Sequence, residues 1–330
     1  MAVTLNANVF IGTMANLIAY SRVLDTYKVG GALTKLTDKF RGNDISFGDS
    51  IIINSATLPT VSDLDTSSST LLTRVLPGVS QQVISVSAFK YIQLSINEYL
   101  MAGAFINESA MATLVAYLIS TMQTAKTLHM YGVVERLINL RLTAEITADN
   151  HVVTVEGVAT DPDNDDAQTM LANATHNSVK FFKWLRNEIR QYELGKKKSF
   201  KGASDTTGRK CVETGDNLVV LIHPKLNASL DADALAVLLK SDKLTSGYNV
   251  EFIEVDLATI SGTPEVITEV PQYAILCSDD AFTYGYFYQV ATSFFDPATL
   301  NRQNWLHFSY YADGVEYAPL EVIELENFYF

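Results

Sequence analysis

The sequence predicts a mixed α+β protein built on one long helix and one long two-stranded arm. Three observations predict it. A helical signal runs unbroken from about residue 107 to 140, and a period-2 apolar pattern occupies residues 84–96. Strands and helices then follow one another without the regular alternation of a doubly wound parallel sheet. The 330 residues exceed one average domain, and the 48% hydrophobic and 18% charged composition is that of a globular chain.

Residues 9–28 read as a helix, because Phe10, Met14, Leu17, Ile18 and Leu24 recur at spacings that form one apolar stripe, and Gly30-Gly31 ends it. From Phe47 the character changes. IIINSATLPTV reads as a strand running out to a polar tip, SDLDTSSST, and the chain returns through SQQVISVSAFKYIQLSI. On the return, Ile84, Val86, Ala88, Ile92, Leu94 and Ile96 share the even positions, with a break at Lys90. Each limb is about fifteen residues, or roughly 50 Å at the strand rise of ~3.3 Å per residue. A hairpin that long has little of its own chain to pack on, so it is expected to lie on another molecule. The alternative is a hairpin curled back on its own domain.

The long helix starts at Asn107 as cap, with Glu108 at its positive end. Met111, Leu114, Val115, Leu118, Ile119 and Met122 form its stripe. TAEITADNHVVTVEGVAT is expected to be a hairpin around residues 148–150. DPDNDDAQTML opens a second long helix that runs to about Leu194, and GKKKSFKGASDTTGRKC reads as a glycine-rich basic loop. A strand at 217–222, a helix at 230–240, a strand in YNVEFIEVD and a loop in SGTPEVITEVPQ follow. YAILCSDDAFTYGYFYQVATSFF reads as a strand, an Asp-Asp turn and a long aromatic strand. After a turn in FDPATLNRQN, NWLHFSYYADGVEYAPLEVIEL reads as a closing strand pair.

Candidate chemistry is thin. His223 follows a buried-looking strand and precedes Pro224, which rejects the helical conformation for the residue before it. The favoured reading is a joint between a strand and a helix capped by Ser229 or Asp231. A catalytic dyad with a distant partner stays open at this point. The five histidines include no HExxH and no pair four residues apart. Asp161, Asp163 and Asp165 begin a calcium-loop pattern that fails at Asp166 and Ala172, so an acidic helix start is the better reading. Asp279-Asp280 reads as a turn. No GxGxxG, GxxxxGK or GxSxG occurs among the glycines. No cofactor and no metal are expected. Cys211 and Cys277 have no redox or metal spacing and read as ordinary thiols, with a disulfide the lesser alternative. No stretch is long and apolar enough to cross a membrane as a helix, and the N-terminus does not read as a signal peptide.

Charge is unevenly placed. Residues 216–330 hold 4 basic and 17 acidic side chains, which accounts for the whole net charge of −13. Such a surface repels nucleic acid at long range and excludes a chain that is basic throughout. One basic cluster stands out. Lys180, Lys183, Arg186 and Arg190 share one helical face, opposite Phe182, Leu185, Ile189 and Tyr192, and Lys196, Lys197, Lys198 and Lys201 extend it. It is either a solvated helix face or a contact with an acidic partner.

In order and character these parts resemble the major capsid proteins of tailed bacteriophages, which have the Hong Kong 97 capsid fold, and among them those of small short-tailed phages. NLVVLIHPKLNASLDADALAVLL is similar to the strand, joint and acidic-capped helix of the family's axial domain. YAILCSDDAFTYGYFYQVATSFFDPATLNRQNWLHFSYY is similar to the closing strands of its peripheral domain. The resemblance implies an α+β Hong Kong 97-like fold. It would have an N-terminal arm at 1–44, an extended hairpin or E-loop at 45–96, a peripheral domain with spine helix at 97–160, an axial domain at 161–262, and return strands of the peripheral domain at 263–330. It implies a non-enzymatic structural protein, made in the host cytoplasm, that assembles with itself as hexamers and pentamers into an icosahedral virion shell. The shell would enclose double-stranded DNA without sequence recognition, with a separate scaffolding protein and a portal as partners. A cleaved scaffolding segment of about a hundred residues, common in the family, does not fit ahead of a hairpin that begins near 45. The lysine that some members use for cross-linking is also missing, since the arm has none between Lys39 and Lys90. Leu64, Leu71 and Leu72 near the arm tip are expected at a subunit interface, as are Lys180, Lys183, Arg186 and Arg190, facing acidic side chains of an adjacent copy. Two alternatives stay open: a cellular encapsulin-type shell and an unrelated α+β enzyme.

Overall fold

The computed structural model describes residues 32–46, 49–56, 76, 78–97, 108–148, 151–159, 167–199, 209–230 and 250–328. In chain order these form α1 (Ala32–Lys39), β1 (Ile51–Ala56), β2 (Val79–Ile84), β3 (Ala88–Asn97), α2 (Glu108–Ala148), β4 (Val152–Glu156), α3 (Ala167–Glu193), β5 (Lys198–Ser199) and β6 (Arg209–Lys210). They continue with a 3-10 turn, β7 (Leu218–Ile222), α4 (Pro224–Leu230), β8 (Glu251–Glu254), β9 (Ala258–Ser261), β10 (Val266–Glu269), β11 (Tyr273–Ser278), β12 (Phe282–Asp296), β13 (Asn301–Gly314) and β14 (Leu320–Glu326).

The centre is a five-stranded mixed sheet in the order β4-β14-β11-β7-β8. β7 and β11 are buried at every residue, which is why LVVLI and YAILC read as continuous apolar runs rather than alternating ones. Their side chains still alternate between two cores. Leu218, Val220, Ile222, Ala274 and Leu276 meet Phe181, Leu185, Ile189 and Tyr192 of α3. Val219, Leu221, Ile275 and Cys277 meet Met130, Val134, Ile138 and Leu142 of α2, together with Leu36 of α1 and Phe40 just after it. The sheet is therefore covered by helices on both faces. It draws strands from 97–160, 161–262 and 263–330 alike.

Helix α2 continues past the sheet and carries a second one, β12-β13-β3, which is wholly antiparallel. His129 of α2 sits edge-on to Phe308 and Tyr310, with ring centroids 6.0 and 5.7 Å apart. The even-numbered residues of the return limb turn inward as the period-2 pattern predicts: Ile84 and Ile96 are buried, Ile92 and Leu94 half-buried. The inward face is interrupted at Lys90, which lies exposed inside β3, and the strand itself breaks at 85–87. The strand break divides the limb's labour. β2 pairs with the outgoing limb β1, while β3 leaves the arm and pairs with β13.

Several expectations are corrected. The hairpin about 148–150 does not form. TAEITA stays helical, and β4 pairs in parallel with β14 instead. Tertiary bonds override the β-branched composition there. Thr143 Oγ1 donates to the Asn139 carbonyl at 2.8 Å and accepts the Ile260 amide at 2.9 Å, while the Asn139 side chain bonds Asp256 and Ala258. SGTPEVITEVPQ, expected as a loop, contains β10, which pairs with β9 as a hairpin. The closing strands β13 and β14 belong to different sheets. On α2, Ile119 is exposed, and the described core stripe runs through Met122, Met130, Val134, Ile138 and Leu142. On α3 the buried ring is Phe181, with Phe182 half-buried beside it. The expected helix at 9–28 and the acidic start at 161–165 lie outside the described residues, as does the helix expected at 230–240 beyond Leu230.

Candidate assembly surfaces

The arm is fastened at its root. β1 and β2 pair in register from Ile51↔Ile84 to Ala56↔Val79, which puts Ser55 directly opposite Ser80. Directly opposed residues share a face, so the two hydroxyls lie side by side. Arg209 of β6 donates one guanidinium nitrogen to each: Nη1 to Ser55 Oγ and Nη2 to Ser80 Oγ, both at 2.7 Å. Its guanidinium carbon sits 4.5 Å from the ring centroid of Tyr317. Gln82, buried on β2, donates to the Gly314 carbonyl at 2.8 Å and accepts the Glu316 amide at 2.9 Å. A small core of Ile84, Phe287 and Tyr311 fills the joint beneath. A register shift between Tyr286 and Tyr288 re-aims Phe287 into it. Sequence reading placed an arm here and missed these fasteners. Only the even position of Gln82, in phase with the apolar inward residues, signalled that it points in.

Leu64, Leu71 and Leu72 lie outside the described residues. Beside the arm root, the face of the β12-β13-β3 sheet turned away from α2 is aromatic. Phe89, Tyr91 and Tyr288 are exposed there, Tyr91 is 5.4 Å from Trp305, and Trp305 stacks on His307. A shallow cavity of about 540 Å³ is lined by Phe89, Tyr288 and His307, together with Lys90 and Phe308.

The basic helix face forms as the spacing predicts. Lys180, Lys183, Arg186 and Arg190 are all exposed on α3, opposite the buried Phe181, Leu185, Ile189 and Tyr192. Lys180 also reaches the Glu156 carbonyl at the end of β4. Lys197 does not belong to this surface. It turns in to Glu188 of α3 and to Glu321 of β14, the latter at 2.8 Å. Burial acts to lower the Lys197 pKa, but the Glu321 charge and the hydrogen bonds that the ammonium donates to both carboxylates outweigh it and the pKa is raised. Glu321 is raised too, by burial first, against the pull of Lys197. Burial, not the bridge, penalises the charged Glu321, and Lys197 offsets that cost only in part. Lys201 lies outside the described residues.

His223 is a joint. Its buried ring accepts the Lys225 amide at Nδ1, 3.1 Å away, and its carbonyl accepts from Asn227. It therefore caps α4, whose first residue is Pro224. Ser229 lies within α4 rather than capping a later helix, and Asp231 lies outside the described residues. Among the described residues the nearest acid, Asp256, is 3.9 Å from Nε2, beyond hydrogen-bond reach. Burial foremost lowers the His223 pKa and keeps the ring neutral. Both cysteines are free thiols; burial pushes Cys211 up to about 11. Among the described residues no helix is long and apolar enough to cross a membrane.

Comparison with known proteins agrees with this geometry. The family described as Phi29-like phage major capsid protein matches residues 19–320. Among solved structures, the capsid structure of Staphylococcus phage Andhra is similar at 10% identity and a TM-score of 0.64, covering 93% of this chain and 88% of that one. The capsid of cyanophage P-SCSP1u is similar at 9% identity and 0.55, covering 94% of each chain. The acid-stable capsid of Helicobacter pylori bacteriophage KHP30 is similar at 9% and 0.53, covering 94% and 96%. At these identities the likeness is one of fold. No curated protein matches significantly.

Proposed function

Because this chain belongs to the Phi29-like phage major capsid protein family and has the Hong Kong 97-like capsid fold, we propose a specific way in which it builds the virion shell. Its role as a major capsid protein follows from the family, whose match covers residues 19–320. The observation that carries the finer reading is the arm: a hairpin whose described root is fastened to the body of the protein, beside an exposed aromatic sheet face. Copies join as hexamers and pentamers into an icosahedral shell that encloses double-stranded DNA without reading its sequence. The arm of one copy lies on an adjacent copy through Leu64, Leu71 and Leu72, and the aromatic face of β12-β13-β3 serves contact between copies. A separate scaffolding protein and a portal are the expected partners, and the chain performs no catalysis. In this reading residues 1–44 form the N-terminal arm and 45–96 the extended hairpin. Residues 97–160 and 263–330 form the peripheral domain, and 161–262 the axial domain.

Lys180, Lys183, Arg186 and Arg190 then face acidic side chains of a neighbour across the axial domain. The acidic excess of residues 216–330 supports this pairing, since like charges converging about an axis repel unless matched. Electron microscopy of the purified protein, alone and with its scaffolding protein, tests the whole reading. Closed shells with five- and six-fold clusters are expected. A chain that stays monomeric in every assembly condition overturns it.

A further inference from the structure

We propose that Arg209 is the positioning residue that sets the angle of the arm, and that it ties this angle to the α3 end of the five-stranded sheet. The proposal rests on the reading that the arm contacts a neighbouring copy. Its first half concerns the single chain and stands apart from that reading.

Two serines opposed in register present two hydroxyls to one planar, forked cation, and each nitrogen is 2.7 Å from its oxygen. A guanidinium holds two acceptors in a fixed plane, which a lysine ammonium does not. Tyr317 beneath the guanidinium fixes that plane relative to the body of the protein. Arg209 thus binds both limbs of the arm at once, near the point where the hairpin leaves the described fold at Ala56 and Val79. Any angular error at that root grows in proportion to the distance along the arm.

The other end of the tie is the Lys197 bridge. β6 pairs with β5, placing Arg209 opposite Ser199 and Lys210 opposite Lys198, and the Cys211 amide bonds the Lys197 carbonyl at 3.0 Å. Lys197 is anchored by Glu188 and Glu321. Gly195, with φ of +61°, closes the turn that brings this short ribbon off the end of α3. A continuous run of bonds therefore leads from α3 and β14, through the β5–β6 ribbon, to both limbs of the arm. A shift of α3 against the rest of the protein is passed to the arm through this ribbon, and a shift of the arm is passed back.

Hydrogen–deuterium exchange on the unassembled chain tests the clamp itself. Arg209→Ala is expected to speed exchange of residues 51–56 and 79–84 at least roughly tenfold, the effect of losing even one charge-assisted hydrogen bond, with the central sheet unaffected. Arg209→Lys keeps the charge and loses the fork, and is expected to rescue only part of this. Ser55→Ala with Ser80→Ala leaves Arg209 in place and should reproduce the Arg209→Ala pattern, which guards against a simple folding defect. Lys197→Gln should speed exchange at the arm root although it does not touch the arm. Electron microscopy then tests the consequence: Arg209→Ala shells are expected to vary in diameter or fail to close. Unchanged exchange at 51–56 and 79–84 overturns the clamp. Faster exchange with shells of normal, uniform diameter leaves the clamp and overturns its role in setting arm geometry. Monomers from both the wild type and the variant would instead overturn the assembly reading.

Discussion

Lys197 Nζ lies 2.8 Å from Glu321 Oε1, and the same ammonium serves Glu188. One cation thus neutralises two carboxylates on the inner side of α3. Removing it leaves both acids buried without a counter-charge. Lys197→Met is expected to cost about 3 kcal/mol, the scale of breaking a buried pair on one side. Glu321→Gln keeps the lysine paired with Glu188 and is expected to change stability by less than about 1 kcal/mol at neutral pH. Urea unfolding of the unassembled proteins measures both.

The same pair predicts a pH signature. The Glu321 pKa is raised by burial, so the folded state holds its proton more tightly than the unfolded state does. Its contribution to stability is then largest at low pH and falls as pH rises from the ordinary value of 4.5 through the raised folded value. Subtracting the Glu321→Gln stability curve from that of the wild type should show this decline with rising pH. A difference curve that is flat or rises across that window contradicts the assignment. Lys197 has the opposite placement. Its raised pKa makes its contribution complete below 10.5 and lost as pH climbs through the higher folded value.

Gly285 lies where Tyr311 passes under the arm root. A Cβ at residue 285 would sit 2.6 Å from Tyr311 ring atoms, and Tyr311 is fully buried with its hydroxyl bonded to the Asn43 carbonyl. The ring cannot retreat without losing that bond. Gly285→Ala is expected to destabilise by about 1–3 kcal/mol, as overpacking does. A thermal melt unchanged from wild type would falsify this account of the joint.

What the sequence made legible and what it hid differ in range along the chain. The buried strands LVVLI and YAILC, helix α3 and the inward even residues of the return limb were legible because their signals are local runs or local periods. The charged face of Lys180, Lys183, Arg186 and Arg190 was legible for the same reason. The arm fasteners were not. Arg209 meets Ser55 and Ser80 across 154 and 129 residues, and no local pattern marks an arginine for two serines that far away. Lys197 looked like one more member of a basic run, and only Glu321, 124 residues on, removes it from that surface. The extra turns of α2 were hidden likewise, because Thr143 and Asn139 are held by β9 and its approach.

The apolar residues of the arm tip predict an assembly defect without a folding defect. Burying one leucine is worth roughly 1.5–3 kcal/mol, and the gain recurs at every copy of the contact. Leu71→Ser with Leu72→Ser is expected to leave the circular dichroism spectrum and melting temperature of the unassembled chain near wild type while shell yield collapses. Normal shell yield from the double variant sinks the interface assignment.

The shell is expected to be held without covalent bonds between copies. Isopeptide cross-linking needs an amine on the arm, and the sequence has no lysine between Lys39 and Lys90. Mature particles boiled in detergent should run as one band near 36.4 kDa. A ladder of multimers contradicts this.

The basic face of α3 makes the most discriminating prediction, because two partners of the same charge compete for it. If Lys183 and Arg186 face acidic groups of an adjacent copy, they act before any DNA is present. Each exposed pair is worth only ~0–1 kcal/mol, so a ring of them guides encounter and register more than it supplies stability. Lys183→Glu with Arg186→Glu should therefore slow capsomer formation several-fold at low salt, with the deficit shrinking as salt screens the repulsion. Light scattering of DNA-free assembly, followed across salt concentrations, measures it. Capsomers that form at the wild-type rate, with only DNA packaging impaired, would assign the face to DNA instead.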